Sequence, residues 1–196
     1  MRKTKEEAEL TRFNIIKACY EIITDKGYDR MTRDDIAKKL GMTRGAVNWH
    51  FKTKEDIYLA TLHFVMNELK KGREQWTPHQ ELSVMERMRG LFGQPVQQLG
   101  YYHFINEIPH YLLKDDRFQV IEQMKIKNIQ RFTQDMENWL DELEQETKQP
   151  LSCPKAEIAQ ILYLLFKGLH SRNSKDEYAG ELFLKSLPGF LKIVIH

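Results

Sequence analysis

The side chains with the clearest chemical potential stand together in one short segment, residues 43–51, with the sequence Thr-Arg-Gly-Ala-Val-Asn-Trp-His-Phe. Val47 and Phe51 lie four residues apart and would pack inward from a helix. The polar side chains expected on the opposite, exposed side are Thr43, Arg44, Asn48 and His50. These residue types suit contacts with phosphate oxygens and base edges. Gly45 lacks bulk, so the backbone could approach a groove of DNA closely.

Short helices separated by tight turns would position this segment. The first four predicted helices cover residues 6–26, 32–40, 43–50 and 53–75. Thr32 followed by Asp35 is typical of a capping-box start, and Gly27 and Gly41 supply helix stops. A helix, a glycine turn and a short second helix form the helix-turn-helix layout. Such a unit places the N-terminal end of its second helix in the major groove.

The rest of the chain also predicts helices, and no alternating apolar run indicates a sheet. The later predicted helices cover residues 81–92, 95–112, 115–148, 154–169 and 176–195. On the first helix, Leu10 and Phe13 are expected on the inner face with Ile16 and Ile23. The expected fold class is therefore all-α, with about nine helices.

Composition limits the cellular context. The 196 residues carry a formal net charge of +2, which by itself indicates no particular partner. No stretch approaches the roughly 18 consecutive apolar residues of a membrane span, and no secretory signal opens the chain. Cys19 and Cys153 are far apart and form no CxxC pair. We expect reduced cysteines and a cytoplasmic protein.

Three pieces of the sequence resemble the DNA-binding domain of the tetracycline-repressor (TetR) family: residues 32–41, 43–46 and 49–54. The opening residues 3–8 are similar to the branch that represses multidrug efflux operons. The resemblance implies a helix-turn-helix DNA-binding domain at 1–54. It further implies that residues 55–196 form a larger helical domain for ligand binding and dimerisation.

Carried over position by position, the resemblance also implies a set of DNA contacts. These residues are Thr32, Arg33, Thr43, Arg44, Gly45, Asn48, Trp49, His50 and Lys54. Helix N-termini present free N–H groups to phosphates, in agreement with this set. The family usually has tyrosine where this chain has Asn48, and the shorter asparagine better suits a bidentate contact to adenine. Trp49 could contact DNA, pack in the core, or do both.

Methionine and aromatic residues between positions 81 and 140 favour a ligand pocket, although core packing explains any one of them. The candidate ligand-binding residues are Met85, Met88, Phe92, Phe104, Glu107, Phe132 and Met136. The helix at 156–169 is apolar on most faces, which favours burial against a second subunit. The candidate interface residues are Ile158, Leu162, Leu165, Leu169, Phe183 and Leu187.

Motifs for catalysis are missing from the sequence. There is no phosphate-binding glycine loop, no GxSxG, no HExxH and no histidine near Cys19. We therefore predict a protein that is not an enzyme and uses no cofactor or metal. The resemblance implies a dimeric repressor that binds a palindromic operator and is released by a small hydrophobic or amphipathic inducer. A helical scaffold, or a small-molecule enzyme without DNA binding, is the alternative class.

Overall fold

The computed structural model describes residues 4–75, 81–92, 96–171, 181 and 185–190. Its helices are α1 (Lys5–Lys26), α2 (Arg33–Lys39), α3 (Arg44–His50), α4 (Lys54–Glu74), α5 (Val84–Phe92), α6 (Val96–Asn106), a 3₁₀ helix (His110–Lys114), α7 (Asp116–Thr147) and α8 (Lys155–Ser171). Residues 185–190 are helical too. Because these ranges contain no β-strand, the predicted all-α class is confirmed. Within them, no helix is long and apolar enough to cross a membrane.

Local capping signals set the helix starts in the N-terminal region. The Thr32 hydroxyl accepts a hydrogen bond from the Asp35 backbone N–H, and the Asp35 carboxylate accepts one from the Thr32 backbone N–H. These two bonds complete the predicted capping box. At the other end of α1, Gly27 has a φ of 81°, in the left-handed region that favours glycine. The predicted starts and stops are confirmed here because they depend on nearest neighbours alone.

The helix predicted at 95–112 breaks before Pro109, one of the residues that the sequence pattern indicates as an interruption of it. α6 ends at Asn106, and a separate 3₁₀ helix follows Pro109. Proline has no backbone N–H to donate and disfavours helical geometry in the residue before it. The helix predicted at 176–195 lies mostly outside the described residues, apart from residues 185–190.

The chain divides into two compact units. The first combines Met1–Asn67 with Ile108–Ile121, and the second combines Glu68–Glu107 with Glu122–His196. The sequence placed one boundary after residue 54, whereas this division falls within α4 and returns a later segment to the first unit. A sequence pattern shows where helices begin but not which distant segment packs against them.

Three contacts hold the later segment to the N-terminal helices of the first unit. The Tyr58 and Phe118 rings lie 5.9 Å apart, and both side chains are buried. The Arg117 guanidinium is 2.7 Å from the Asp56 carboxylate. The Tyr111 hydroxyl donates to the Asp29 carboxylate.

The buried face of α1 includes Ile16 and Ile23, as expected, but not Leu10 or Phe13. Leu10 is 61% exposed and Phe13 is 39% exposed, so both were wrongly placed on the inner face. Ile15, Cys19 and Ile22 are buried in their place. Burial raises the pKa of the Cys19 thiol to about 12, so it remains a neutral packing group.

The second unit has its own core. Its buried members are Val84, Met88, Leu91, Phe92, Phe132, Met136, Trp139, Leu140, Leu143, Ile158, Ala159, Leu162, Phe166 and Leu187. Arg87 is also buried, where its guanidinium pairs with the Glu142 carboxylate and lies 5.3 Å from the Trp139 ring. The charge of Arg87 is therefore compensated within the unit.

We predict that Phe118→Ala destabilises the first unit by about 3–5 kcal/mol, since it removes a fully buried aromatic ring that packs beside Tyr58. Urea unfolding followed by circular dichroism measures the change. Val120→Ala is the matched control, because Val120 is two residues away and 47% exposed. Equal losses from both variants would contradict the assignment of this segment to the first unit's core.

Candidate functional site

Helix α3 is fixed at both ends while its outer side stays accessible. At its start, the Thr43 hydroxyl accepts from the Ala46 backbone N–H at 3.2 Å. Val47 is fully buried and Phe51, directly after the helix, is buried as well. The inward positions predicted for Val47 and Phe51 are therefore confirmed. The Thr43 hydroxyl proton is not used by the cap and remains available to a phosphate oxygen.

Trp49 lies on the accessible side of α3. Its side chain is 69% exposed, and its ring stands edge-on to His50 with the centroids 4.6 Å apart. Trp49 therefore does not pack in the core of the described chain, and that one of its two predicted roles is wrong. An exposed indole offers a flat apolar face and one N–H donor to a partner.

The conformation of α3 does not require a glycine at position 45. A Cβ at this position would have the Thr43 hydroxyl oxygen as its nearest neighbour, at an ordinary contact distance of 3.7 Å. Glycine within a helix costs roughly 0.5–1 kcal/mol relative to alanine. The free chain therefore has room for a methyl group at this position.

The basic side chains predicted to contact DNA already have partners in their own chain. Arg44 pairs with Asp34 at 3.2 Å, and both side chains are more than half exposed. The Arg33 guanidinium donates to the Lys52 carbonyl at 2.7 Å. The Lys54 ammonium donates to the Asp29 carbonyl at 3.2 Å and lies 4.2 Å from the centre of the Tyr28 ring. Contacts to phosphate would replace or share these bonds.

Polar groups at the start of α2 also have hydrogen-bond and ion-pair partners within the chain. The Thr32 hydroxyl donates to the Asp35 carboxylate at 2.6 Å while it accepts from the Asp35 N–H. Lys26 is 2.7 Å from the same carboxylate. Hydrogen bonding by Lys26, and next by Thr32, lowers the pKa of Asp35 to about 2, so the cap stays ionised. A DNA contact from Thr32 would have to exchange its bond to Asp35.

Asn48 is half-buried and differs from the other polar residues of α3. Its side-chain carbonyl oxygen is buried and accepts no hydrogen bond from the described residues. A bidentate contact to adenine uses the carbonyl oxygen and the amide together. The side chain must therefore rotate outward before it can make such a contact.

The second unit contains a separate cavity of about 260 Å³. Its apolar lining consists of Leu69, Ile105, Ile126, Ile129, Phe132 and Phe166. The charged lining consists of Arg73, Glu122, Lys125 and Lys167, and the neutral polar lining of Tyr102, Asn106, Asn128 and Tyr163. Apolar walls with a few polar groups are typical of small-molecule sites.

Of the predicted ligand-binding residues, the described lining of this cavity includes only Phe132. Met88, Phe92 and Met136 are core residues of the second unit, with Met85 packed against them. Phe104 is buried and Glu107 is exposed. Among the residues that the structure describes, no group of three His, Cys, Asp or Glu is placed to hold a metal ion.

One face of α7 supplies the predicted Phe132 together with three lining residues that the sequence prediction missed. Glu122, Lys125, Ile129 and Phe132 follow one another at helical spacing and all line the cavity. A helix face that mixes charged and apolar residues is unusual for a core and was the available signal. Arg73 on α4 and Lys167 on α8 carried no such signal.

The residues predicted for a subunit interface differ in how far they are buried within one chain. Ile158, Leu162 and Leu187 are fully buried in the core of the second unit, whereas Leu165 is 38% exposed. The side chains of Leu169 and Phe183 lie outside the described residues. Among the described side chains of α8, the large apolar ones that are exposed are Ile161, Leu164 and Leu165.

Comparison with known proteins places the first unit in a family context. Residues 15–61 match the family described as bacterial regulatory proteins, tetR family. The HTH-type transcriptional regulator TtgR of Pseudomonas putida is 34% identical over 131 residues, which cover 63% of this chain and 61% of TtgR. The HTH-type transcriptional repressor BepR of Brucella suis is 28% identical over 132 residues, covering 64% and 62%. The chain thus spans about three fifths of the length of these curated relatives.

The similarity to solved structures extends over nearly the whole chain. A crystal structure of AibR in complex with isovaleryl coenzyme A and operator DNA aligns with a TM-score of 0.68. The alignment covers 93% of this chain and 98% of AibR at 15% identity, a level that shows the fold alone. TtgR and BepR are named as regulators of transcription rather than as enzymes, in agreement with the prediction of a non-enzymatic protein.

We predict that Gly45→Ala separates stability from DNA binding. The free energy of unfolding should rise by roughly 0.5–1 kcal/mol, because alanine favours a helix and its methyl group has space. Affinity for a duplex that the natural chain selects from a random library should fall roughly tenfold, about 1.4 kcal/mol. Fluorescence anisotropy measures this loss.

The matched control for Gly45→Ala is Asn14→Ala, which favours helix on the exposed side of α1. It should leave DNA affinity unchanged. If Gly45→Ala bound the duplex as tightly as the natural chain, a close approach of the α3 backbone to DNA would be excluded.

Proposed function

Because residues 15–61 match the tetR family of bacterial regulatory proteins, we propose that the chain is a ligand-responsive transcriptional repressor of that family. It binds a palindromic operator as a homodimer and controls an operon for multidrug efflux, as the similarity of residues 3–8 to that branch suggests. The observation that carries the proposal is α3, a short helix anchored by Val47 whose Trp49 is exposed. Operator binding requires the protein to act in the cytoplasm.

DNA recognition uses the N-terminal end of α3 in the major groove. Arg44 turns from Asp34 toward a guanine, which an arginine recognises through two hydrogen bonds. Arg33 and Lys54, at the starts of α2 and α4, face phosphates together with the free N–H groups of those helix ends. The loss of the Arg44–Asp34 pair costs little, because exposed ion pairs contribute little to stability.

Dimerisation uses the exposed apolar side of α8. Ile161, Leu164 and Leu165 recur at helical spacing, and each is more than a third exposed. A two-fold axis would bring the same side of a second chain against them, so that one patch covers the other. Two recognition helices can then contact half-sites about 34–36 Å apart.

Release from the operator follows ligand binding in the cavity of the second unit. α4 and α7 each contribute residues to both units, so a shift in either helix is transmitted along the chain. A ligand releases DNA only if it prefers the conformation that does not fit the operator. To lower the fraction of protein that can bind the operator from 99% to 1%, the ligand must bind the other conformation more tightly by about 5.5 kcal/mol.

We predict that Arg44→Ala weakens operator binding by roughly 1–3 kcal/mol and relaxes the preference for one base pair, because it removes the contact to guanine. Binding is titrated on the selected duplex and on single-base variants of it at several salt concentrations. Lys39→Ala is the matched control: it removes the same charge from a side chain that pairs with Glu21 at 2.8 Å. Similar, sequence-independent losses from both variants would contradict base recognition by Arg44.

We expect Leu164→Glu to yield folded monomers. Leu164 is 56% exposed in one chain, so glutamate is compatible with the subunit, whereas a charge buried in the dimer interface is strongly unfavourable. Sedimentation at micromolar concentration measures the mass, and circular dichroism checks the fold. Val120→Glu, at a similarly exposed apolar position on α7, should remain dimeric. A dimeric Leu164→Glu protein would show that α8 is not the interface.

A further inference from the structure

The ammonium group of Lys54 is held against the loop between α1 and α2. It donates to the backbone carbonyl of Asp29 at 3.2 Å and lies 4.2 Å from the centre of the Tyr28 ring. An ammonium has three N–H donors. The bond to Asp29 uses one of them, so Lys54 can keep this bond while another donor faces a phosphate oxygen.

Tyr28 is fixed by contacts of its own. Its side chain is buried, and its ring lies 4.5 Å from the Tyr58 ring. Its hydroxyl donates to the Glu55 carboxylate at 3.1 Å. The cation–π contact of Lys54 therefore has a well-positioned partner.

The two polar groups of Asp29 bind different partners. Its carbonyl accepts from Lys54, whereas its carboxylate accepts a hydrogen bond from the hydroxyl of Tyr111 in the 3₁₀ helix. Hydrogen bonding to Asp29 raises the pKa of Tyr111 to about 12, so the phenol keeps its proton at neutral pH. Tyr111 is therefore a permanent donor to this carboxylate.

The start of α4 is fixed by a capping box and by Arg117. The Thr53 N–H donates to the Asp56 carboxylate at 3.0 Å, and the Asp56 N–H donates to the Thr53 hydroxyl at 3.1 Å. The Arg117 guanidinium is 2.7 Å from the same carboxylate. The segment 108–121 thus contacts both the start of α4, where Lys54 lies, and the loop between α1 and α2.

We infer that Tyr111 is a positioning residue for DNA binding, which acts through Asp29 on Lys54. Its hydroxyl keeps the Asp29 carboxylate from pairing with the ammonium, so that the charge of Lys54 is available to a phosphate. The inference rests on the proposed function, in which Lys54 faces a phosphate of the operator.

The physical reason is a competition between two anions for one ammonium. Asp29 is exposed, and its carboxylate belongs to the same residue as the carbonyl that accepts from Lys54. Without the phenol hydroxyl, this carboxylate is free to rotate toward the ammonium and form a charge-assisted hydrogen bond. A phosphate would then have to displace the carboxylate, and DNA binding would weaken.

The test variant is Tyr111→Phe, which removes the hydroxyl alone. Fluorescence anisotropy measures its affinity for the duplex that the natural chain selects from a random library. We expect binding to weaken about three- to tenfold, the range that the loss of one hydrogen bond allows. The loss should be equal on single-base variants of the duplex, because phosphate contacts carry no sequence information. Urea unfolding should show nearly unchanged stability, because Tyr111 is 53% exposed.

A double-mutant cycle assigns the effect to Lys54. Lys54→Ala should itself weaken binding, and in that background Tyr111→Phe should cause no further loss, since no ammonium remains to be engaged. Gln119→Ala is the matched control, because it removes an exposed hydrogen bond that the same segment makes within itself, to Asp116 at 3.1 Å. It should bind the duplex as tightly as the natural chain.

Three results would overturn the inference: unchanged affinity in Tyr111→Phe, unchanged affinity in Lys54→Ala, or an equal loss from Tyr111→Phe with and without Lys54. The equal loss would mean that the bond to Asp29 only ties the 3₁₀ helix to the loop. All three leave repression itself standing, because the natural chain still binds the selected duplex. If no duplex is selected even at low salt, the proposed function fails and the inference fails with it.

Discussion

The anchoring of α3 is the constraint on which the proposed DNA surface depends. Isolated helices shorter than about 12 residues are marginal in water, and α3 has seven residues. Its shape therefore comes from the Thr43 cap, the buried Val47 and the buried Phe51 just beyond its end. These contacts use one side of the helix and both of its ends. The remaining side is left for recognition, where Trp49 is accessible.

The basic residues near α3 are held by bonds within the free chain. Arg33 and Lys54 donate to backbone carbonyls, and Arg44 is paired with a carboxylate. Long side chains lose considerable rotational freedom when they are ordered, and here part of that entropy is lost in the free protein. The Arg44–Asp34 pair is exposed and contributes little to stability, so its replacement by a contact to DNA would cost little.

The sequence predicted features that depend on neighbouring residues and missed those that depend on distant ones. The capping box of Thr32 and the stop at Gly27 were predictable because a few adjacent residues decide them. Leu10 was placed on the wrong side of α1, since helical spacing alone fits more than one face. Arg73 was missed because a charged residue near a helix end normally faces solvent. Its role follows from packing among α4, α6, α7 and α8, which no local pattern encodes.

The division of the first unit between two stretches of chain bears on how such proteins diversify. Because Phe118 packs beside Tyr58, a single genetic crossover after the codon for Asn67 would combine those two rings from different parents. The salt bridge between Asp56 and Arg117 would be separated in the same way. Exchange of the second unit between related genes would therefore preserve these contacts only if 108–121 stayed with its own N-terminal partner. Under the proposed function, new ligand specificities would be reached more readily by substitutions that line the cavity than by shuffling whole domains.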